Sequence, residues 1–402
     1  MQNRTLTTIG VVVTAGALAL SACSSSKKSG GGGLGNGTTS ANTASQTYTI
    51  GFIGALSGPN AQLGINEKQG AQLAVDQANS SGKNKFKVVL DPQDSEGDPA
   101  KAPSAATALI SNPAVIGVIG PAFSGESKAV DPNFCAAGLP IVTASASNAT
   151  LQDQGYKCWH RIIPNDDVEG TQGADWLART GAKKVFVLND LSTYGQGVAK
   201  KMAAELKVKG VSVQAQGLDG TTTKNYGPIA QTIKASGVDA VFYGGYDAQA
   251  ALLAKALKAA GFTGRTVTGN GGKSDVFTKS AGDAGNGWYF TCGCQDATTA
   301  PTAKAFATAY QTAFKQPPST YSPEAYDAAN LFIDALSKAS ASGAVTKASL
   351  MTALNAEDFQ GITTRIKFQS NGEVEATNLI VNLFQQKNGA IAGLGDINKI
   401  NS

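Results

Sequence analysis

From Tyr48 onward, short apolar runs of strand length alternate with amphipathic stretches of helical length. This alternation constrains the fold more than any other feature of the chain. Strand segments are predicted over Tyr48–Gly54, Phe86–Leu90, Val115–Ile119 and Pro140–Thr143. Between them, helices are predicted over Asn66–Asn79, from an Asp98 cap with Pro99 in the first turn to about Ile110, and over Ser124–Ala137. A second series follows Pro164. Helices at Gly170–Thr180, Tyr194–Val208, Tyr226–Ala235 and Ala248–Ala260 alternate with strands at Lys184–Leu188, Val211–Gln216, Ala240–Tyr243 and Thr266–Thr268. Strict alternation means right-handed crossovers and parallel sheets, an α/β class. Beyond Cys294 the pattern loosens into helices near Thr302–Phe314, Ser322–Ala339 and Lys347–Leu354. A final pair of strands is predicted near Thr364–Phe368 and Asn378–Phe384.

The N-terminus carries a different signal. Arg4 precedes an apolar run from Thr8 to Leu20, too short for a permanent span but suited to a secretory signal. Leu20-Ser21-Ala22-Cys23 resembles the bacterial lipobox, which implies cleavage after residue 22 and acylation of Cys23. Residues 24–46, rich in Ser and Gly, contain nothing that would form a core and read as a tether with an end-to-end distance of roughly 25 Å. The expected location is therefore the extracytoplasmic face of the cell membrane, lipid-anchored.

Charge is nearly balanced, with 33 Lys and Arg against 29 Asp and Glu. No basic stripe interleaved with aromatics appears, which argues against nucleic acid as a partner. Besides Cys23 the chain has Cys135, Cys158, Cys292 and Cys294, an even number that favours disulfides in an exported protein. The preferred pairing is Cys135 with Cys158, leaving Cys292 and Cys294 as a tight C-x-C bridge, although spacing alone does not fix connectivity. The single histidine, His160, lies in the apolar run Cys158-Trp-His-Arg, and this leaves a zinc site poorly supplied with ligands. It also weakens the case for an enzyme, since His160 is the one imidazole available as a base and Phe123-Ser124-Gly125 lacks the spacing of a nucleophile elbow. The acidic group Asp94-Ser-Glu-Gly-Asp98 lacks the ligand pattern of a calcium loop. Neither a cofactor nor a metal is expected.

Five segments in fixed order carry a resemblance: Gly54-Ala-Leu-Ser-Gly-Pro, Gly120-Pro-Ala-Phe-Ser-Gly, Thr143-Ala-Ser-Ala-Ser-Asn, Leu188-Asn-Asp-Leu-Ser-Thr-Tyr-Gly and Tyr243-Gly-Gly-Tyr. Together they resemble the leucine/isoleucine/valine-binding branch of the type I solute-binding proteins of ABC transporters. The resemblance implies two doubly wound, Rossmann-like lobes joined by three crossings. The first would comprise residues 47–165 with about 297–368, the second 166–296 with about 369–402. The implied ligand is a branched-chain or other amino acid, and the implied partners are an ABC permease and ATPase served by a monomeric receptor. A small carboxylate, amide or urea-like solute is the alternative ligand, and signalling the alternative role.

Physical chemistry points to the same rim, because open α/β sheets bind ligands at strand carboxyl ends. Ser124 begins a helix there, where free N–H groups favour an anion. By resemblance Ser124 and Ser147 hold a ligand carboxylate, and Ser145 offers its backbone carbonyl to an ammonium. Tyr194 and Tyr246 pack rings over the ligand, and Tyr321 and Leu63 line its side-chain pocket. Two departures stand out. Asn270 occupies the position of the family's ammonium-binding glutamate, which leaves Asp247 and Glu126 as substitute carboxylates and Lys273 as a site for an additional anion. Gly97 and Phe123 occupy the positions of the family's first-lobe disulfide.

Overall fold

The computed structural model describes residues 46–401. The signal segment, Cys23 and the tether lie outside those residues. Strand β1 (Gln46–Gly54) leads through α1 (Ala61–Ser81) to β2 (Phe86–Asp94), and α2 (Ala102–Ser111) leads to β3 (Val115–Ile119). After α3 (Ser124–Ala136) come β4 (Ile141–Thr143) and β5 (Trp159–Arg161). These strands form one parallel sheet in the order β2-β1-β3-β4-β5. The second series is α4 (Asp166–Arg179), β6 (Lys184–Asn189), α5 (Thr193–Val208), β7 (Ser212–Gly217), α6 (Gly227–Ala235), β8 (Ala240–Gly244), α7 (Asp247–Ala259), β9 (Arg265–Thr268), α8 (Asp275–Ala281) and β10 (Tyr289–Cys292).

Helices α9 (Lys304–Phe314), α10 (Ser322–Ala341) and α11 (Lys347–Asn355) precede a small hairpin of β11 (Asp358–Gln360) and β12 (Arg365–Lys367). The chain ends in β13 (Asn382–Lys387) and β14 (Ala390–Asp396). These complete a seven-stranded sheet, β14-β13-β10-β9-β8-β6-β7, in which β13 and β14 run antiparallel. Strands thus form in both expected final segments, each with its own partners. The segment near residue 366 pairs with β11, and β13 pairs with β10 and β14. A correction concerns Asp98, which accepts from Ala100 N in a turn at 2.8 Å, while the helix starts at Ala102 with Pro103 in its first turn.

Each sheet has its own core. Ile50, Phe52 and Val88 of the first sheet are buried against α1 and against Ala328, Leu331 and Phe332 of α10. The chain therefore returns to the first sheet after β10. Val374 packs in the same core, and Glu373 pairs with Arg161 of β5. Phe186, Val241 and Phe290 anchor one face of the second sheet, and Val187, Phe242 and Val267 the other. Two glycines set the depth at which α1 lies. A Cβ on Gly64 would come within 2.0 Å of the Ala55 carbonyl oxygen, and one on Gly70 within 2.0 Å of the Ser322 carbonyl oxygen. Only hydrogen at these positions lets α1 sit against both the β1 loop and the start of α10. Cys135 is bonded to Cys158, and Cys292 to Cys294.

Candidate functional site

The loop after β4 is held from several directions. Thr143 Oγ1 accepts from Ala146 N at 3.0 Å, and Asp166 N donates to the Ser147 carbonyl at 2.7 Å. Arg161 Nη1 donates to the carbonyls of Ala146 and Asn148 at 3.0 and 2.8 Å. Ser145 Oγ donates to the Ala122 carbonyl at 2.6 Å. Ser147 Oγ is left buried with no hydrogen-bond partner among the described residues. Ser124, the first residue of α3, accepts from Asn148 N at 3.1 Å. The Ser147 hydroxyl, near the Asp166 carboxyl, and the Ser124 hydroxyl at a helix N-terminus can both donate to an anion.

The opposing wall comes from the second sheet. Tyr194, in the first turn of α5, accepts from Gly271 N at 3.1 Å through its hydroxyl. Tyr246 precedes α7, and its ring lies 5.5 Å from that of Tyr194 and 5.3 Å from that of Phe123. Asn270 follows β9 and is fastened by Glu169, which accepts from its backbone N at 3.0 Å and its Nδ2 at 2.5 Å. With one Nδ2 hydrogen given to Glu169, Asn270 keeps its second Nδ2–H and its Oδ1 acceptor for a ligand. Burial pushes the Glu169 carboxyl up to about 7, against the lowering effect of hydrogen bonds from Thr291 and Asn270.

From the first sheet, α1 contributes Leu63 and, one turn on, Glu67, while Tyr321 stands just before α10. Tyr321 has φ +66°, a left-handed conformation that is unusual for a bulky residue. Its buried hydroxyl has no hydrogen-bond partner among the described residues. These groups enclose a cavity of about 290 Å³, lined by Leu63, Glu67, Ala122, Phe123, Ser124, Ser145, Ser147, Tyr194, Tyr246, Asn270, Gly271 and Tyr321. No Lys, Arg or His is among the lining residues.

A family model described as periplasmic binding protein matches residues 47–389, nearly all of the described chain. The chain belongs to the periplasmic binding protein family. It is 30% identical over 329 residues to a Leu/Ile/Val-binding protein of Rhizobium johnstonii, an alignment covering 81% of this chain and 85% of that one. It is 28% identical over 345 residues to the leucine-, isoleucine-, valine-, threonine- and alanine-binding protein of Pseudomonas aeruginosa, covering 84% and 90%. Among solved structures, it resembles the branched-chain amino acid transporter substrate-binding protein of Streptococcus pneumoniae in complex with isoleucine. That match has a TM-score of 0.79 at 26% identity, over 87% of this chain and 100% of the other. The fold is the two-lobed, type I α/β architecture of the periplasmic binding protein family.

Within this family member the sequence-derived site residues divide clearly. Ser124, Ser145, Ser147, Tyr194, Tyr246, Asn270, Tyr321 and Leu63 all line the cavity. Asp247 does not, and its candidacy is corrected. Its carboxylate accepts from Ser274 Oγ at 2.5 Å and Ala248 N at 2.7 Å, so it fastens the start of α7 to that of α8. Glu126 is also engaged elsewhere, by Ser95 Oγ and by Phe123 N at 3.1 Å. Lys273 faces away from the cavity. Its Nζ donates to Thr320 Oγ1 at 3.1 Å and lies 4.2 Å from the Phe384 ring centroid. His160 is buried beneath β4, with ring nitrogens 3.1 Å from the Ile141 carbonyl and 2.8 Å from Asn355 Oδ1. Asp94 accepts from Leu56 N and Ser57 Oγ, at 2.8 and 2.6 Å, so the acidic run binds its own loops.

Sequence reasoning missed Glu67 and Glu169. Glu67 falls four residues after Leu63, so placing Leu63 at the pocket put the next turn of the same helix face there too.

Proposed function

We propose that this chain is an extracytoplasmic receptor, lipid-anchored through Cys23, that encloses a small amino acid between its lobes and delivers it to an ABC permease and its ATPase. The branched-chain amino acids are the foremost candidates. The observation that carries the reading is the enclosed cavity, with a donor end at Ser124 and Ser147, tyrosine rings on the facing wall and Leu63 beside them. A carboxylate is favoured at the donor end by the helix N-terminus. The names of the relatives supply the ligand class, and the family membership supports a binding role rather than catalysis. Transport is the role we assign, because the relative with a solved structure is named for a transporter.

A small carboxylate or amide remains the second reading, and Asn270 is the observation in its favour, since it cannot neutralise an ammonium. Calorimetric titration of the purified protein with leucine, isoleucine, valine, alanine, short carboxylates and urea separates the two. Micromolar or tighter binding of an amino acid is expected. Heat with carboxylates or amides alone would transfer the site to the second reading. Silence with every compound would remove both.

A further inference from the structure

Glu67 is an acidic group with no cation beside it among the cavity-lining residues. It is 1% exposed, lines the cavity, and its Oε2 has no hydrogen-bond partner among the described residues. The neighbouring Ser145 has one hydroxyl proton and directs it to the Ala122 carbonyl. The charged groups that act on Glu67 are Glu126 and Glu324, both acidic. Burial, reinforced by those two and opposed by the Ser145 hydroxyl, pushes its carboxyl well up. A buried carboxylate in such surroundings must stay protonated or acquire a cation, and the cavity walls provide none.

The other acidic groups nearby do not serve. Glu169 spends its oxygens on Asn270 and Thr291. Asp166 is fully buried but is not among the cavity-lining residues. Ser124 and Ser147, whose hydroxyls can donate, line the same cavity. The cavity lining therefore combines donor hydroxyls with one acid that has no cation beside it.

We infer that Glu67 receives the ammonium group of a zwitterionic ligand, supplying from α1 the negative charge that the neutral Asn270 cannot. This rests on the amino-acid reading above and narrows it. A simple carboxylate brings no cation, so Glu67 keeps its proton and gains nothing from it, whereas the ammonium of a zwitterion lets Glu67 ionise against it. Glu67 is thus a specificity-determining residue that selects amino acids over their deaminated counterparts.

The test compares the tightest-binding amino acid with its deaminated carboxylate (leucine with 4-methylpentanoate, for example) in wild type and Glu67→Gln. The variant should weaken the amino acid at least about thirtyfold and change the carboxylate less than about threefold. Equal weakening of both, or an unchanged amino-acid affinity, would overturn the assignment while leaving the amino-acid receptor intact. Absence of amino-acid binding by wild type would overturn both. A second measurement does not depend on the variant folding. Titrations of wild type in buffers of different ionisation enthalpy should show protons released on amino-acid binding and not on carboxylate binding. Equal proton release with both would also overturn the assignment.

Discussion

Arg161 and Glu373 form a fully enclosed ion pair, and the same guanidinium reaches past Glu373 to the carbonyls on either side of Ser147. The pair joins β5 to the segment leading towards the C-terminal strands, and it also fixes the loop that offers hydroxyls to the ligand. Removing one partner of a buried pair leaves the other uncompensated. Glu373→Gln is expected to lower stability by about 3–5 kcal/mol. It should also weaken ligand binding, because Arg161 would no longer be held in line with the Ser147 loop. Chemical denaturation with and without ligand checks both effects.

Restoring a carboxylate at position 270 should not restore a better site. Asn270 Nδ2 faces Glu169 at 2.5 Å, so Asn270→Asp would set two buried carboxyls against each other. One would have to keep a proton, and stability at neutral pH is expected to fall by about 1–3 kcal/mol, with much of the loss recovered at lower pH. Adding Glu169→Gln to the variant should recover it at neutral pH as well. Melting temperatures across pH for the single and double variants test this coupling.

Several buried acids should make the free protein less stable as pH rises. Burial raises Glu324 to about 8, Glu126 and Glu169 to about 7, and Asp327 and Asp247 to about 6. Each binds its proton more tightly folded than unfolded. Its contribution is therefore complete below the ordinary carboxylate range and is lost as pH climbs through the folded value. The melting temperature should decline between about pH 5 and pH 8. Glu324→Gln should flatten that decline, because the amide oxygen can still accept from Gln295 N while the ionisation disappears. Scanning calorimetry at closely spaced pH values gives the answer.

Reduction should separate the two disulfides. Cys135–Cys158 closes a loop with a sequence separation of 23 and ties the end of α3 to the start of β5. Its loss is expected to cost about 3 kcal/mol, and the loss of Cys292–Cys294, which closes a far shorter loop, about half that. Paired Cys→Ser variants measured by urea unfolding check the ranking.

The alternation of strands and helices was readable because each apolar run had the length and period of its element. The rim residues were readable for a related reason: Ser124, Ser145 and Ser147 sit where strands of an α/β sheet end, and that is where such sheets bind. Glu67 was hidden. Its charge suggests the solvent side of α1, and only the packing of α10 across that helix makes the position internal. Asp247 erred the other way, since an acid at a helix start reads equally well as a ligand or as a fastening, and the Ser274 contact that decides the matter is distant in sequence. Strand β14 left a trace that went unused: Asn388-Gly389, both with positive φ, is a strong hairpin signal between β13 and β14.

The enclosure of the cavity carries a kinetic consequence. Ser124, Ser147, Tyr194 and Tyr321 are at most 3% exposed, so a molecule held against them is largely shielded from bulk water. Exchange must wait until the Phe123 and Tyr246 rings part. Dwell time is then governed by how often the two halves swing open, and solutes of different affinity share one upper limit on their rate of escape. A partner that pries the halves apart would set the pace of unloading.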